Sequence, residues 1–292
     1  MKKIAVFGRK IKENQINTVI EIFEKMDSLN CILVIFKPLF DDIKDKIAFK
    51  SKILLFNTYK EIDGSSFLLS IGGDGTLLDT IAYVRDSEIP VIGLNIGRLG
   101  FLANITLDNI ENALNQVLKG NYHIDKRSLI KIECNQNFFN EINFALNEIA
   151  ILKSDTSSMI KIDVHINDLF LNTYWADGII VATPTGSTAY SLSCGGPIIA
   201  PDSNSFIITP VASHNLTVRP IVISDKSRLK LIIDAENLPY SINLDSRKIK
   251  TSKKIEINLV KEDFTFNLIK LNEDNFYSTI RNKLMWGIDK RN

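Results

Sequence analysis

The sequence predicts an α/β domain whose parallel sheet is covered by helices on both faces, then an all-β sandwich, then a helical tail that packs back on the first domain. In the first part of the chain, apolar strands alternate with helical patterns, as in parallel sheets. Short strands of alternating apolar and polar residues follow, as in antiparallel sheets. We therefore place the α/β domain at 1–124, the sandwich at 125–270 and the returning tail at 271–292.

The α/β domain is predicted from buried strands that are each followed by a turn or a helix. Apolar runs indicate the strands, and apolar residues at helical spacing indicate the helices. Gly120 would end the last of these helices. Strands are expected near 3–7, 31–36, 67–71 and 90–95, and helices near 16–23, 77–84 and 108–119. Ligands of such sheets bind beyond the carboxyl ends of the strands.

The sandwich is predicted from strands with a period of two. Residues 160–166 alternate apolar and polar side chains, and Asn167-Asp168 fits a two-residue hairpin turn. Residues 255–259 and 264–268 alternate in the same way. The tail carries apolar residues at helical spacing, namely Phe276, Ile280, Leu284 and Met285.

Composition and charge exclude several classes of protein. The 35 Lys and Arg residues nearly balance the 34 Asp and Glu residues, so the net charge of +1 gives no support for a nucleic-acid or polybasic membrane surface. No apolar run reaches the roughly 18 residues of a membrane span. Cys31, Cys134 and Cys194 are far apart and cannot all pair, which favours a reducing cytoplasm.

A glycine turn, Gly72-Gly73-Asp74-Gly75-Thr76, joins a buried strand to a helix. Glycines let a ligand approach the main chain, and the free N–H groups at a helix start favour phosphate. Because a carboxylate repels an anion unless it takes a proton or holds a cation, Asp74 indicates phosphoryl transfer to a hydroxyl, with Asp74 as the base. The alternative is a tight structural turn in which Asp74 accepts local N–H groups. The pentapeptide alone leaves both open.

Residues 177–197 form a second cluster, rich in glycines and hydroxyls, inside the predicted sandwich. An apolar strand leads into a hydroxyl-rich turn and a short helix from about Ser187, with Ser187 or Thr188 as the expected N-cap. The same geometry would direct N–H groups and hydroxyls at a ligand. A capped helix between two strands is the alternative, but this many small polar residues exceed the needs of one cap. The segment therefore favours a binding site.

Two smaller polar sites stand out. Asn147-Glu148 interrupts an apolar strand. Since consecutive strand residues face opposite sides, at least one of the pair points at a buried surface and needs a partner. By itself this indicates a structural role. Asp245-Ser246-Arg247 carries one acidic and one basic side chain and by itself indicates a solvated turn.

Several common motifs are absent from the sequence. It has no GxxxxGK[ST] phosphate loop and no GxGxxG after the first strand, which weakens a hydride-transfer function. It has no HExxH and no paired cysteines that would indicate zinc. It also lacks the GxSxG elbow of serine hydrolases.

Taken together, these motifs resemble the NAD kinases. Gly72 to Thr76 looks like the diglycine–aspartate signature of that family, Asn147-Glu148 like its Asn-Glu pair, and 177–197 like its longer second signature. Residues 93–102 and 276–286 also resemble the family, and the matches follow its order over nearly the whole chain. Lipid kinases and phosphofructokinases carry similar five-residue motifs, whereas the long second motif at this spacing is specific.

The resemblance implies a kinase that uses ATP, with Mg²⁺ or another divalent cation, to phosphorylate the 2′-hydroxyl of the adenosine ribose of NAD and give NADP. Asp74 would be the general base, with the backbone of Gly72, Gly73 and Thr76 near the phosphates. A wider set would bind the dinucleotide, namely Asp74, Gly75, Asn147, Glu148, Trp175, Asp177, Thr188, Ala189, Tyr190, Ser191, Leu192, Ser193, Ala212 and Arg247.

The resemblance also implies a homodimer or homotetramer. Trp175 stands where some relatives carry arginine, so no preference between NAD and NADH is carried over. Two other functions share part of the pattern. A lipid kinase would need a basic or amphipathic membrane-facing surface, which the sequence does not indicate. A catalytically silent dinucleotide sensor would have no need for Asp74.

Overall fold

The structure is a computed structural model that describes residues 2–97, 100–136, 138–154, 158–271 and 275–286. Contacts between residues divide the chain into two compact units. The first comprises the described residues up to Lys126 together with those from Phe266 onward, and the second runs from Arg127 to Thr265.

The strands are numbered in chain order. They are β1 (Lys3–Gly8), β2 (Ile32–Phe36), β3 (Lys52–Phe56), β4 (Phe67–Ile71), β5 (Val91–Leu94), β6 (His123–Arg127), β7 (Ile130–Glu133), β8 (Phe144–Ala145), β9 (Glu148–Lys153), β10 (Ile160–Ile166), β11 (Leu169–Ala176), β12 (Gly178–Ala182), β13 (Ser205–Val211), β14 (Ile221–Ser224), β15 (Leu229–Asp234), β16 (Tyr240–Leu244), β17 (Arg247–Thr251), β18 (Ile255–Lys261) and β19 (Phe266–Lys270).

The α-helices are α1 (Ile16–Asp27), α2 (Lys37–Ile43), α3 (Asp74–Asp79), α4 (Ile81–Val84), α5 (Ile110–Lys119), α6 (Tyr190–Ser193) and α7 (Phe276–Leu284). Short 3-10 turns lie at Glu13–Gln15, Tyr59–Ile62, Leu107–Asn109 and Thr185–Thr188. Within the part of the chain that the structure describes, no helix has the length and apolar character needed to cross a membrane.

The sheet of the first unit has the strand order β3-β2-β1-β4-β5-β19-β6. Neighbouring strands from β3 to β19 run parallel. Helices cover both faces, as predicted. On one face Phe23 of α1 shares an apolar core with Val6, and on the other Phe7 and Phe56 pack against Tyr83 of α4, with ring centroids 5.1 and 5.4 Å from that of Tyr83. Val6 and Phe7 enter different cores because successive strand residues point to opposite faces.

The strand β19 differs from the sequence expectation, which placed 264–268 in the sandwich and the domain boundary at 270. The structure pairs β19 in parallel with β5, with Leu268 opposite Val91. The second compact unit therefore ends at Thr265. Both Leu268 and Ile269 are buried, as expected for a strand covered on both faces. The alternating stretch 264–268 could not show that the strand is buried on both faces, because the second apolar face begins with Ile269, one residue after that stretch.

The tail forms α7 and lies in the first unit. The side chain of Asn275 accepts the N–H of Ser278 at 2.8 Å and caps the helix. Ile280 is buried, but Leu284 and Met285 are exposed. Of these three residues at helical spacing, Ile280 is therefore the one that packs in the interior. Met285 has left the helix and has a left-handed backbone, so the helical spacing no longer applies there.

The second unit is a sandwich of two antiparallel sheets, as predicted. One has the strand order β11-β10-β15-β18-β7-β8 and the other β14-β13-β12-β9-β16-β17. Their facing sides share one apolar core, to which the first sheet contributes Ile162 and Leu231 and the second Ile151 and Val181. The outer side of the second sheet has a smaller apolar cluster, which includes Ala150 and Ala182 and against which Cys194 packs.

Candidate active site

The glycine turn makes Asp74 the first residue of α3, directly after β4. A Cβ at Gly72 would lie 2.3 Å from Oγ1 of Thr76, so only glycine lets the chain pass so close to that side chain. A Cβ at Gly73 would meet no atom within 4 Å. The first glycine is therefore required by close packing, whereas the second leaves the main chain open to a ligand.

The carboxylate of Asp74 is held by the loop that follows β5. Its Oδ2 accepts the N–H of Phe101 at 2.7 Å, and its Oδ1 accepts those of Leu102 and Ala103 at 3.1 and 2.9 Å. A Cβ at Gly100 would lie 1.8 Å from Oδ1, so this glycine makes room for the carboxylate. Hydrogen bonds to an ionised group are strong, and three of them fix the orientation of this side chain.

The tail helix brings a cation to the same carboxylate. Nζ of Lys283 lies 3.6 Å from Oδ2 of Asp74 and 4.5 Å from the centre of the Phe101 ring. Sequence reasoning missed this contact. It treated the tail only as a packing element, and nothing in the tail sequence identifies which lysine faces the glycine turn.

A cavity of about 240 Å³ opens beside the glycine turn at the carboxyl ends of β1 and β4, the edge of the sheet where ligands were expected. Gly72, Gly73 and Thr76 line it. The loop after β1 adds cations and an amide to the lining, namely Arg9, Lys10, Lys12 and Gln15. The cavity therefore combines an open glycine backbone with positive charge, which suits a polyanionic ligand.

Arg9 connects the basic loop to α3. Its Nε donates to Asp79 at 2.5 Å, and its Nη2 donates to the carbonyl of Gly75 at 3.0 Å. Sequence reasoning did not include Arg9 in the site. The available signal was its position at the carboxyl end of β1.

The turn 245–247 is not solvated at its first residue, so that prediction is wrong for Asp245. Its side chain is 2% exposed. The carboxylate accepts the N–H groups of Leu146, Asn147 and Glu148 at 2.8, 2.8 and 3.2 Å. Burial raises the pKa of Asp245, although these hydrogen bonds act to lower it. The side chain thus fixes the backbone of the predicted polar pair.

Glu148 is half-buried, like Asn147. It faces away from the sandwich core, because Ile149 faces into it, and it accepts the N–H of Tyr190. Its Oε2 is buried with no hydrogen-bond partner among the described residues. Burial, and then the nearby charge of Asp245, raises the pKa of Glu148 to about 8. At neutral pH Glu148 is therefore mostly protonated and carries an O–H donor.

The hydroxyl-rich segment covers the outer side of the second sheet, where Cys194 and Ile199 pack against an apolar cluster that includes Ala182. A Cβ at Gly186 would lie 2.0 Å from the carbonyl oxygen of Asn147. This glycine therefore lets the Thr185–Thr188 turn lie directly on the polar pair. The structure brings the two motifs of the second unit together.

The predicted N-cap is wrong. The residue before α6 is Ala189, which has no side-chain acceptor. Ser187 instead donates to the carbonyl of Pro184 at 2.7 Å and accepts the N–H of Ile199 at 3.1 Å, and Thr188 donates to the carbonyl of Thr185. These hydroxyls stabilise the 3-10 turn rather than the helix that follows.

The predicted dinucleotide contacts of this segment differ in exposure. Tyr190 and Ser193 are exposed, whereas Thr188, Ala189 and Leu192 are half-buried. Ser191 is buried, and its hydroxyl shares a hydrogen bond of 2.8 Å with Thr209.

Asp177 lies between β11 and β12, with its carboxylate 2.6 Å from Nζ of Lys153. Its N–H donates to the carbonyl of Val211 at 2.9 Å, next to Ala212. Ala212 has a left-handed backbone with φ +45°, a conformation that non-glycine residues adopt mainly where the surrounding structure imposes it. Trp175 precedes this site and is 45% exposed. Asp177 and Ala212 therefore lie at neighbouring ends of β12 and β13 in the second sheet, whereas Trp175 belongs to β11 of the first.

Arg247 turns toward the backbone of its own unit. Its guanidinium donates to the carbonyls of Ile142, at 2.6 Å, and of Phe144. It also lies 3.9 Å from the carboxylate of Asp245. Its contact with a dinucleotide stays a prediction.

Two family models match this chain. The ATP-NAD kinase N-terminal domain matches residues 41–122, and the ATP-NAD kinase C-terminal domain matches residues 146–271. The chain belongs to the NAD kinase family. Both matched ranges contain the motifs described above, the glycine turn in the first and the polar pair with the hydroxyl-rich segment in the second.

Named NAD kinases resemble this family member along their whole length. The NAD kinase of Flavobacterium psychrophilum is 41% identical over 99% of this chain and 100% of its own. That of Cytophaga hutchinsonii is 40% identical over 99% of each chain, and that of Bacteroides fragilis 38% over 99% of each. These matches confirm the predicted family and the predicted enzyme class.

Solved structures show the same fold. Yeast NADH kinase complexed with NADH superposes with a TM-score of 0.87 at 21% identity, over 99% of this chain and 89% of that one. An NAD kinase from Archaeoglobus fulgidus in complex with ATP has a TM-score of 0.72 at 22% identity, over 97% and 98%. At these identities the likeness establishes the NAD kinase fold, in agreement with the predicted fold class.

Proposed function

We propose that this NAD kinase transfers the γ-phosphoryl group of ATP to the 2′-hydroxyl of the adenosine ribose of NAD, with Asp74 as the general base. The reaction follows from the family membership. One observation carries the role of Asp74. Its carboxylate is held by three backbone N–H groups, while its neighbours Gly73 and Thr76 line the basic cavity.

Phosphoryl transfer asks little covalent chemistry of the protein. The transition state is largely dissociative in most analyses, so positioning and charge stabilisation do most of the work. The remaining need is a group that accepts the hydroxyl proton, typically worth about 10²–10⁴-fold in rate. Oδ2 of Asp74 accepts one N–H where Oδ1 accepts two, and the ammonium of Lys283 lies 3.6 Å from Oδ2, beyond hydrogen-bond distance, so Oδ2 is the oxygen with a lone pair for that proton.

We assign the phosphates of ATP to the basic cavity. Lys10 and Lys12 supply charge that complements a polyphosphate, and the open backbone of Gly73 allows its oxygens to come close. Arg9 has a different task. Because it bonds to Asp79 and to the carbonyl of Gly75, it holds the glycine turn in place against the basic loop.

The divalent cation is assigned to ATP rather than to a site built by the chain. The described residues contain no group of three or more His, Cys, Asp or Glu side chains placed to hold a metal ion. Mg²⁺ commonly keeps water and phosphate oxygens as ligands and takes only one or two from the protein. When bound, it would neutralise charge on the phosphates.

The dinucleotide is assigned to the residues of the second unit. Glu148, protonated at neutral pH, can donate a hydrogen bond to a ribose oxygen or an adenine nitrogen. Its Oε2 has no hydrogen-bond partner among the described residues, so binding a ligand would break no hydrogen bond of that oxygen there. Asp177 can accept ribose hydroxyls, and the exposed ring of Tyr190 offers a stacking surface. The exposed indole of Trp175 offers another.

We also propose that the protein is a cytoplasmic homodimer or homotetramer. Leu169 and Phe170, at the hairpin that opens the edge strand β11, are 75% and 60% exposed, and such apolar side chains often mark contacts between subunits. Cys31, Cys134 and Cys194 are unpaired thiols, as favoured in a reducing compartment. Light scattering after size-exclusion chromatography gives the subunit number, and a monomer at micromolar concentration would contradict the proposal.

The reaction is tested with purified protein, NAD, ATP and Mg²⁺, and an NADP-specific dehydrogenase to detect the product. We expect NADP to accumulate and chelation of Mg²⁺ to stop it. Binding of NAD without any NADP would instead indicate a dinucleotide sensor. Phosphorylation of diacylglycerol in vesicles, without NADP, would indicate a lipid kinase.

A further inference from the structure

Lys283 is placed against the proposed catalytic carboxylate by an element that none of the binding motifs includes. It lies in the last turn of α7, and its Nζ is 3.6 Å from Oδ2 of Asp74. The two side chains remain 30% and 28% exposed. Oδ2 is also the oxygen that accepts the N–H of Phe101.

The position of Lys283 is fixed at both ends of its side chain. Along α7, the Asn275 cap and the buried Ile280 hold the helix, and Lys283 follows Ile280 by three residues on the same face. At its tip, the ammonium lies 4.5 Å from the centre of the Phe101 ring, within the range of a cation–π contact. Phe101 thus contacts Lys283 with its ring and Asp74 with its N–H.

We propose that Lys283 is a positioning residue for Asp74 in phosphoryl transfer. It holds Oδ2 in the orientation that meets the hydroxyl, and its charge offsets the repulsion between Asp74 and an incoming phosphoryl group. This inference rests on the proposed role of Asp74 as general base. Because both side chains are partly exposed, water screens the pair, and we expect a rate effect of about 10-fold rather than a complete loss.

Variants of Lys283 can distinguish a positioning role from a purely structural role in packing the tail. Lys283→Met keeps a long unbranched side chain but removes the charge. We expect kcat to fall about 10-fold, with the melting temperature and the KM values for NAD and ATP little changed. Lys283→Arg restores the charge, and we expect it to recover most of kcat. Arg281→Met, an exposed cation of the same helix, is the matched control and should retain full activity.

A double-mutant cycle decides the inference. Kinetics are measured for wild type, Asp74→Asn, Lys283→Met and the double variant. If Lys283 acts through Asp74, Lys283→Met lowers kcat in the wild type but has no further effect in Asp74→Asn. Two outcomes would contradict a positioning role for Lys283 while Asp74→Asn remains impaired. In the first, Lys283→Met has no effect on kcat, and in the second it lowers kcat by the same factor in the wild type and in Asp74→Asn. Either outcome leaves the role of Asp74 as general base unchanged. Near-normal turnover by Asp74→Asn would instead remove the proposed base itself.

Discussion

The buried carboxylate of Asp245 accepts the backbone N–H of Asn147 at 2.8 Å, although the two residues are 98 positions apart. The same carboxylate accepts the N–H groups on either side of Asn147, and its side chain is almost completely buried. The polar pair at the start of β9 is therefore held in place by a residue of a remote turn.

Asp245→Asn should destabilise the protein, because an amide has one acceptor oxygen and would turn an NH₂ donor toward an N–H donor. A buried donor without a partner costs roughly 1–3 kcal/mol. We expect a melting temperature lower by several degrees and a raised KM for NAD. Asp168→Asn is the control, since its side chain is 88% exposed. Equal melting temperatures for the two variants would show that the Asp245 hydrogen bonds contribute nothing.

Glu148 should make the stability of the protein depend on pH. Its pKa is raised from 4.5 to about 8 in the folded protein, mainly by burial. Between these values the folded protein holds a proton that the unfolded chain has lost. The contribution of protonated Glu148 to the free energy of unfolding is therefore fully present below about pH 4.5, and it is lost as the pH rises toward 8.

Glu148→Gln removes this titration while keeping the shape of the side chain. Urea unfolding at pH 5 and pH 8.5 should show that the variant gains stability relative to wild type as the pH rises. Glu236→Gln, an exposed carboxylate of the same unit, should follow the wild-type pH dependence. Parallel curves for wild type and Glu148→Gln would contradict the raised pKa.

Gly100→Ala should damage catalysis more than folding. A Cβ at this position would lie 1.8 Å from Oδ1 of Asp74, so the carboxylate or the loop that binds it must move. We expect at least a 10-fold loss in kcat, since displacements of about 1 Å at a reacting group can cost far more. Gly64→Ala provides the comparison. It introduces strain at φ +73° but meets open space, and should lower the melting temperature slightly without changing kcat.

Local signals predicted the parts of the site that lie within one segment. A buried strand followed by glycines placed Asp74 in the turn before a helix, and α3 begins at Asp74 itself. The polar pair drew attention to Glu148, but the prediction that the pair interrupts one strand is wrong, because Phe144–Ala145 forms β8 of one sandwich sheet and Glu148 begins β9 of the other. The strand and helix around Asp74 were predictable because strand and helix periods are properties of short stretches.

The partners of these residues were not predictable, because they are remote in sequence. The carboxylate of Asp245 bonds to groups 97 to 99 residues earlier, and Lys283 reaches Asp74 from the tail. The assignment of β19 failed for a related reason. Alternation identifies a strand but does not say which sheet it joins, and parallel pairing with β5 is a long-range contact.

The central claim, that Asp74 is the general base, is tested most directly by Asp74→Asn. Initial rates of NADP formation and calorimetric titration with NAD are measured on the same preparation, with Asp86→Asn, an exposed carboxylate of the same unit, as the control. We predict that NAD affinity is retained and that kcat falls by about 10²–10⁴-fold, the usual contribution of a general base. A variant that binds NAD and turns over at nearly the wild-type rate would contradict the claim.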